Sequence, residues 1–223
     1  MSVSHPAQAT CPRCGHEHEV AAIVAIHATH NPEIRERCLR GLHGLHGCPS
    51  CKRLVRVPLE GAFYSDFERG ELVYVVGRSG RGLERAVERV PELVDEHFRR
   101  APGLEPGTRE TLSTRIVCGA QGLRDKLVVW DLGFDDRAVE LWKLALLEAW
   151  GHDPAMHVAY VAGAPGEDVL SIAVVAVGAQ DEPWQVVAEK DARVAFRSLR
   201  AAPEATGRFA HPWVVDAYWS ARV

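Results

Sequence analysis

Two short segments, Cys11-Pro12-Arg13-Cys14 and Cys48-Pro49-Ser50-Cys51, decide the fold of this 223-residue chain, because they repeat one pattern at two distant places. In Cys-x-x-Cys the backbone turns back so that both sulfurs face one point, and two such turns complete a closed shell of four thiolates. A redox dithiol or a disulfide is the rival interpretation, but a thioredoxin-like site needs only one pair, which opens a helix after a strand. We therefore predict one structural zinc (Zn2+) site with four ligands: Cys11, Cys14, Cys48 and Cys51.

The neighbouring residues support two metal-binding turns. Proline after the first cysteine restricts φ, and Gly15 tolerates the positive φ that is often needed just beyond the second cysteine. Lys52 stands at the matching place in the second turn, where its ammonium can lie near a zinc site of two net negative charges. Residues 15–47 separate the pairs, which is longer than the usual zinc-ribbon spacing, so this insert is predicted to fold as an element of its own.

Composition bounds the class of protein. The chain is 47% hydrophobic and 25% charged, as is ordinary for a globular protein, and its longest apolar run, 169–177, is too short to cross a bilayer. The first ten residues lack an apolar signal core, so we expect a cytoplasmic location, where thiols stay reduced. The two cysteines outside the pairs, Cys38 and Cys118, are expected to be buried free thiols.

A basic stretch at 33–58 is the alternative binding feature. The net charge of −4 argues against a protein held on nucleic acid by bulk positive charge. Within the stretch, however, cations outnumber anions, which makes it either a solvated face beside an anionic metal site or a phosphate contact. Its candidate nucleic-acid residues are Arg35, Arg37, Arg40, Lys52, Arg53 and Arg56.

The first half of the chain reads as strands at 20–29, 54–58 and 72–76 around one short helix. That helix begins at a cap, Asn31, and ends before Gly41, after which 41–47 is expected to be a flexible link. An amphipathic helix follows at 83–100, which Pro91 should kink or divide, and its apolar face is a candidate dimer contact.

The second half begins after a Pro- and Gly-rich linker at 102–108. We predict a strand at 114–118, a helical or strand-like run at 122–130 with exposed Arg124, Asp125 and Lys126, and a helix at 137–150 capped by Asp135 and Asp136. Three strands are then predicted to form an antiparallel meander, at 156–162, 169–177 and 184–188.

These elements predict an α+β fold in which a zinc-ribbon-like four-cysteine knuckle module is joined to mixed helices and an antiparallel β meander. The predicted division is a polar N-terminal tail at 1–10, a zinc-knuckle module with an amphipathic helix at 11–100, and an α+β C-terminal region at 108–223.

Several segments together resemble the CpXC family, a bacterial and archaeal group named for two Cys-Pro-x-Cys motifs. Besides the cysteine pairs, the resemblance rests on four stretches, which are Asn31-Pro32-Glu33-Ile34, Phe63-Tyr64-Ser65-Asp66, Gly122-Leu123-Arg124-Asp125-Lys126 and Gly133-Phe134-Asp135-Asp136-Arg137. It covers most of 11–150 and implies a metal-binding domain, without assigning a catalytic residue. Lys52 replaces a glycine often seen in the family and leaves the ligands untouched.

Three functions are open at this point. The leading hypothesis is a non-catalytic zinc-stabilised module that recognises a protein partner, because a closed four-thiolate shell leaves no coordination position for substrate. The second is a regulatory or nucleic-acid-binding zinc ribbon that uses the basic stretch. The third is an enzyme of unknown type, but the acids and histidines that stand out form no recognisable nucleophile and base pair: Asp131, Asp135, Asp136, His152 and His211.

Overall fold

The computed structural model describes residues 3–29, 31–57, 59–77, 80–100, 112–153, 156–166, 169–176 and 185–189. The chain divides into two compact units, Met1–Leu123 and Arg124–Val223. Within the described residues, both units mix helices and strands, so the predicted α+β class is confirmed. No helix in this part of the chain is both long enough and apolar enough to span a membrane.

The first unit is built on a five-stranded mixed sheet. The strand order is β1-β2-β5-β6-β7, with antiparallel β1–β2 and β5–β6 pairs and parallel β2–β5 and β6–β7 pairs. The strands are β1 (Val3–Thr10), β2 (Glu17–His27), β5 (Ala62–Asp66), β6 (Glu71–Val76) and β7 (Ser113–Cys118). Every residue of β5 is buried, because strands lie on both sides of it and both faces are covered.

Two helices make the crossovers between the parallel strands. They are α1 (Pro32–Leu39), which follows β2, and α2 (Gly80–Arg100), which precedes β7 and packs against β6 and β7. Asn31 precedes α1 as predicted, but its side chain makes no capping hydrogen bond. The second helix continues through Pro91 as one element, so the predicted division at this proline does not occur.

A second, two-stranded sheet pairs β3 (Leu45–Gly47) with β4 (Leu54–Arg56). The predicted flexible link at 41–47 is therefore partly a strand. It is fastened at Gly44, whose carbonyl accepts a 2.8 Å hydrogen bond from the N–H of Val57. A Cβ at Gly44 would lie 2.8 Å from the Val57 carbonyl oxygen, so this close approach needs glycine.

The predicted N-terminal tail is also an ordered strand. Residues 3–10 pair with 17–25 in an antiparallel register, so they belong to the sheet of the first unit. A polar composition is compatible with this position, because β1 lies at the sheet edge and most of its residues are exposed. Likewise β7, placed by prediction in the C-terminal region, pairs with β6. The predicted linker at 102–108 lies outside the described residues.

The second unit packs helices against an antiparallel meander. Its described elements are most of α3 (Gly119–Asp131), α4 (Asp136–Ala149) and the strands β8 (His157–Gly166), β9 (Val169–Ala176) and β10 (Gln185–Glu189), which adjoin in the order β10-β9-β8. The meander is as predicted. An apolar core lies between α4 and the strands, and it includes Val139, Trp142, Leu147, Val161 and Ile172.

Asp135 caps α4 as predicted, since its side chain accepts a 2.9 Å hydrogen bond from the N–H of Arg137. The neighbouring Asp136 is only 3% exposed and faces Lys126 instead. The prediction that Asp125 and Lys126 are exposed is wrong: they are 2% and 1% exposed and belong to a buried network of charges. Their charges find partners on α4, which the local sequence does not reveal.

Acid is expected to destabilise the first unit through His97 of α2. This ring is buried, with its centroid 5.4 Å from that of His27 and 4.6 Å from that of Phe63, and its Nε2 has no hydrogen-bond partner among the described residues. Burial, and then the nearby His27, lower the pKa of His97 to about 4. The unfolded chain takes up this proton near pH 6.5, so stability is full above that pH and falls as the pH approaches 4, by up to about 3 kcal/mol.

Urea titrations of the wild type and of the His97→Leu variant at neutral pH and near pH 4.5 measure this term. The difference between the two proteins cancels the acid sensitivity of other groups, including His43, whose pKa burial also lowers to about 4. We expect the wild type to lose more stability than the variant on acidification. An equal loss in both would contradict the assignment.

Candidate metal centre

Each Cys-Pro-x-Cys segment forms the tip of a β hairpin. Thr10 and Glu17 are the last pair of the β1–β2 hairpin, and Gly47 and Leu54 are the last pair of the β3–β4 hairpin. The residues between each pair make the two cysteine turns, at the positions where the sequence predicts them. The chain therefore brings two hairpin tips together, which is the arrangement of a zinc ribbon.

The two turns have the same hydrogen-bond pattern. The N–H of Cys11 donates to the carbonyl of His16 at 3.0 Å, and the N–H of Cys48 donates to that of Arg53 at 2.8 Å. Inside each turn, the N–H of the residue after the second cysteine donates to the carbonyl of the first cysteine at 2.9 Å. Identical local geometry follows from the repeated sequence pattern.

The four predicted ligands converge. Their Sγ atoms all lie within 4.8 Å of one another, and two hydrogen-bonded sulfur pairs join the two turns, Cys11 with Cys51 at 3.5 Å and Cys14 with Cys48 at 3.7 Å. None of the six cysteines forms a disulfide. Metal–sulfur bonds of about 2.3 Å in a tetrahedron place the sulfurs about 3.8 Å apart, so the cluster fits a tetrahedral metal ion.

Hydrogen bonds and burial give the thiols different acidities. The N–H groups of Cys14 and Arg13 lower the pKa of Cys11 to about 6, since they favour the thiolate. The N–H of Arg53 also lowers the pKa of Cys51, but burial and the neighbouring thiols outweigh it and raise that pKa to about 11. The thiolate is the form of cysteine that can bind a metal ion, and the lowered pKa favours that form at Cys11.

An apolar floor supports the cluster. Cys11 and Cys48 are 1% and 0% exposed and pack with small and β-branched side chains from both hairpins, which are Ala9, Val20, Val55 and Val57. This floor holds the tips in register on one side, and Cys14 is exposed on the other.

Lys52 occupies a backbone conformation that lysine rarely adopts. Its φ is 62°, close to the 69° of Gly15 at the matching position, and it is the only non-glycine residue with positive φ in the part of the chain described. Such a conformation costs about 1 kcal/mol in a residue with a Cβ. The Nζ of Lys52 donates a 3.0 Å hydrogen bond to the carbonyl of Pro49, which partly offsets that cost by closing the turn.

Replacement of Gly15 by alanine therefore measures the energetic cost of the positive φ by itself. No atom lies within 4 Å of a Cβ built at Gly15, so only the positive φ opposes the substitution. We expect Gly15→Ala to lower the free energy of unfolding by about 1 kcal/mol and to keep all four ligands. Gly47→Ala is the matched control, because Gly47 has equal space but no positive φ. Urea titration should show the smaller loss in the control, and equal losses would contradict the argument.

The six predicted basic residues do not form one surface. Arg35 is 8% exposed and donates hydrogen bonds to the hydroxyl of Tyr64 at 2.7 Å and to Glu71 at 3.2 Å, so it anchors α1 to the sheet. Arg40 pairs with Glu36 on the exposed side of α1 at 2.6 Å. Arg56 donates to the carbonyls of His43 and Gly41.

The remaining three cations are exposed, two of them in the second cysteine turn and one on α1. Lys52 and Arg53 are exposed in the second turn, and Arg37 is exposed on α1. The prediction missed Arg13, which is exposed in the first turn. Its position between Cys11 and Cys14 could have identified it, because a residue inside such a turn must lie at the tip of the hairpin.

The other candidate residues do not converge with the cysteines. Within the described residues, the four cysteines are the one cluster of metal-ligating side chains with three or more members. The acids Asp135 and Asp136 have the structural roles described above, and His211 lies outside the described residues.

The family model named CpXC protein matches residues 9–143, more than half of the chain. The match includes both cysteine turns, the end of β1 and the other four strands of the five-stranded sheet, and it extends into α4. No curated protein and no solved structure shows significant similarity to the chain. Through these residues, with their two Cys-Pro-x-Cys turns joined in one cluster, the chain belongs to the CpXC protein family.

Proposed function

We propose that this protein is a non-catalytic module in which one Zn2+ ion, held by four cysteines, fixes two hairpins so that their tips recognise a protein partner. The observation that carries the proposal is the convergence of four sulfurs from two turns of identical geometry. Four thiolates satisfy a tetrahedral ion completely, so the ion supplies structure and has no open position for a reacting group. Free thiols at all six cysteines fit a reducing, cytoplasmic setting.

Metal content is the first test. Protein purified without chelator should contain one zinc per chain, and X-ray absorption at the zinc edge should show four sulfur neighbours at about 2.3 Å. Cys14→Ser should lower the zinc content or put one oxygen in the coordination shell. A metal-free wild type, or an ion with nitrogen or oxygen neighbours, would contradict the proposal.

The exposed side chains of the hairpin tips support protein recognition. Leu54 is 60% exposed and directly follows the second turn, next to Arg53. An apolar side chain beside cations suits a partner segment that is acidic and carries an apolar residue, since the charges would orient the segment and the leucine would bury area.

Affinity purification followed by mass spectrometry tests recognition. A protein recovered with the wild type should be lost with Leu54→Asp, which keeps the metal ligands. Arg99→Glu is the control, because this exposed arginine lies at the end of α2, away from the hairpin sequences. Equal recovery with all three proteins would show that the hairpin tips do not bind the partner.

Nucleic acid is the second candidate partner, and the observation that favours it is the presence of Arg13, Lys52 and Arg53 in the two turns. If they contact phosphates, affinity for a generic duplex should fall steeply with salt. We expect Arg13→Glu with Arg53→Glu to weaken binding at least tenfold and to reduce the salt slope by about two. Arg56 is left unchanged because it holds two loop carbonyls. Fluorescence anisotropy measures both quantities, and unchanged binding would reject this candidate.

A further inference from the structure

The sulfur cluster pairs its cysteines across the two hairpins. The two contacts between its sulfurs that have hydrogen-bond geometry, Cys11 with Cys51 at 3.5 Å and Cys14 with Cys48 at 3.7 Å, each take one cysteine from each turn. In both pairs one sulfur is buried and the other reaches the surface more readily, since Cys14 is exposed and Cys51 is half-buried. Each pair thus combines a sulfur that an oxidant can reach with a sheltered sulfur next to it.

From this arrangement we propose that the cluster is a redox-interchangeable cross-link: peroxide converts the four thiolates into two disulfides, Cys11–Cys51 and Cys14–Cys48, and releases the metal ion. This inference extends the proposed metal site and rests on it for the release step. The hairpins stay joined in both states, by the ion under reducing conditions and by covalent bonds after oxidation.

The chemistry of each pair balances with one hydrogen peroxide. In the metal-bound protein all four sulfurs are thiolates, and the more accessible one of each pair, Cys14 or Cys51, attacks the O–O bond and becomes a sulfenic acid, with hydroxide as the leaving group. The buried partner then attacks that sulfur, and a second hydroxide leaves as the disulfide forms. Two thiols and one peroxide therefore give one disulfide and two waters. The sulfurs must approach from 3.5 or 3.7 Å to about 2.0 Å, a small movement at hairpin tips.

Oxidation removes the metal because a disulfide sulfur has no thiolate charge with which to bind it. A redox-inert ion leaves with its charge unchanged, so it neither gains nor loses electrons in the reaction. The two remaining cysteines do not compete for the peroxide. Cys38 and Cys118 are 3% and 5% exposed, so peroxide does not reach them readily, and they lie outside the cluster where a metal ion would hold them as thiolates.

The alternative linkage has a different structural consequence. Disulfides within the turns, Cys11–Cys14 and Cys48–Cys51, would close each tip on itself and leave nothing to join the hairpins. The three-residue strands β3 and β4 would then have to hold by the apolar floor alone. The linkage pattern and the stability of the oxidised protein therefore both show whether the disulfides join the two hairpins.

Peptide mapping of the full-length, zinc-loaded protein distinguishes linkage across the hairpins from linkage within the turns. Trypsin cuts after Arg13 and so separates Cys11 from Cys14, whereas Cys48 and Cys51 stay together in residues 41–52. After peroxide treatment and alkylation of free thiols, the proposed linkage joins three peptides in one species, 1–13, 14–35 and 41–52. Linkage within the turns instead joins 1–13 to 14–35 and leaves 41–52 alone, and this result would overturn the proposal.

Two further readouts complete the test. A chromogenic chelator should detect one equivalent of zinc released as the intact mass falls by four hydrogens. In Cys14→Ser, where Cys11 can pair with either cysteine of the second turn, the disulfide should join Cys11 to Cys51, and a Cys11–Cys48 bond would overturn the proposed pairing. Cys38→Ala should behave as the wild type in every assay. Cysteines that end as sulfinic or sulfonic acids, or metal retained at saturating peroxide, would also overturn it.

Limited proteolysis separates this inference from the metal proposal. The oxidised protein should resist cleavage within 3–57, whereas reduced protein kept metal-free with chelator should be cut there. If the reduced protein never contained metal, the proposed zinc site would fail, but the three-peptide species would still establish the cross-hairpin linkage. If zinc is bound and the disulfides form within the turns, the metal site stands and this inference fails.

Discussion

Replacing Cys48 by serine is expected to abolish stoichiometric metal binding and to unfold the hairpin region at 3–57. Cys48 is fully buried beneath the cluster and packs on the apolar floor, so no solvent-exposed group can replace its thiolate. Binding free energies of structural zinc in small peptides are on the order of 10 kcal/mol, which is comparable to the whole stability of a domain. Hydrogen exchange should show lost protection in 3–57.

The expected loss is large because little else holds the second hairpin. The β3–β4 sheet has three residue pairs, and an isolated two-stranded hairpin is marginally stable at best. Its contacts with the first hairpin are small side chains around the cysteines themselves. Chelation of the wild type should therefore reproduce the effect of the substitution.

Cys38→Ala is the matched control, since Cys38 is equally buried but stands outside the cluster. This variant should keep its zinc and lose only the modest stability of a small cavity, about 1 kcal/mol. A Cys48→Ser protein that holds one zinc per chain, or keeps full protection in the hairpins, would contradict the structural role of the metal.

The cluster could be predicted from sequence because its information is local. Each Cys-Pro-x-Cys turn specifies its own backbone geometry, and the two copies differ mainly at Gly15 and Lys52. The hairpins behind the turns were partly missed, because β1 is a polar edge strand and β3 is only three residues long and is the second copy of a Leu-His-Gly repeat. Such strands form because a partner strand lies opposite, and the partner is not visible in the local pattern.

Charge was the least predictable property of the chain. Arg35 was placed with the basic surface, but its guanidinium is buried by contacts with Tyr64 and Glu71, which are distant in sequence. Asp125 and Lys126 were expected in solvent for the same reason. A charged residue is exposed by default, and only a compensating charge on another element makes its burial tolerable.

Lys143→Met is expected to destabilise the second unit by about 3–5 kcal/mol at neutral pH, the cost of removing one partner from a buried ion network. The Nζ of Lys143 lies 2.5 Å from Asp125 and 2.9 Å from Glu140, and all three side chains are at most 3% exposed. Although burial lowers it, the two carboxylates raise the pKa of Lys143 above its usual value. Methionine keeps the volume but removes one of the two lysines from a network with three buried carboxylates, in which Lys126 contacts Glu140 at 2.7 Å and Asp136 at 3.7 Å.

The exposed pair of Arg40 and Glu36 supplies the control. Its atoms are as close, at 2.6 Å, but its side chains are 67% and 54% exposed, so solvent and salt screen the interaction. Arg40→Met should change the free energy of unfolding by less than about 1 kcal/mol.

Asp125→Asn combined with Lys143→Met should lower the free energy of unfolding by less than the sum of the two single changes, because the double variant removes one charge of each sign. Urea titration of the wild type, the three single variants and the double variant measures these terms. Equal losses for Lys143→Met and Arg40→Met would show that burial does not strengthen the network, since burial is the main difference between the two ion pairs.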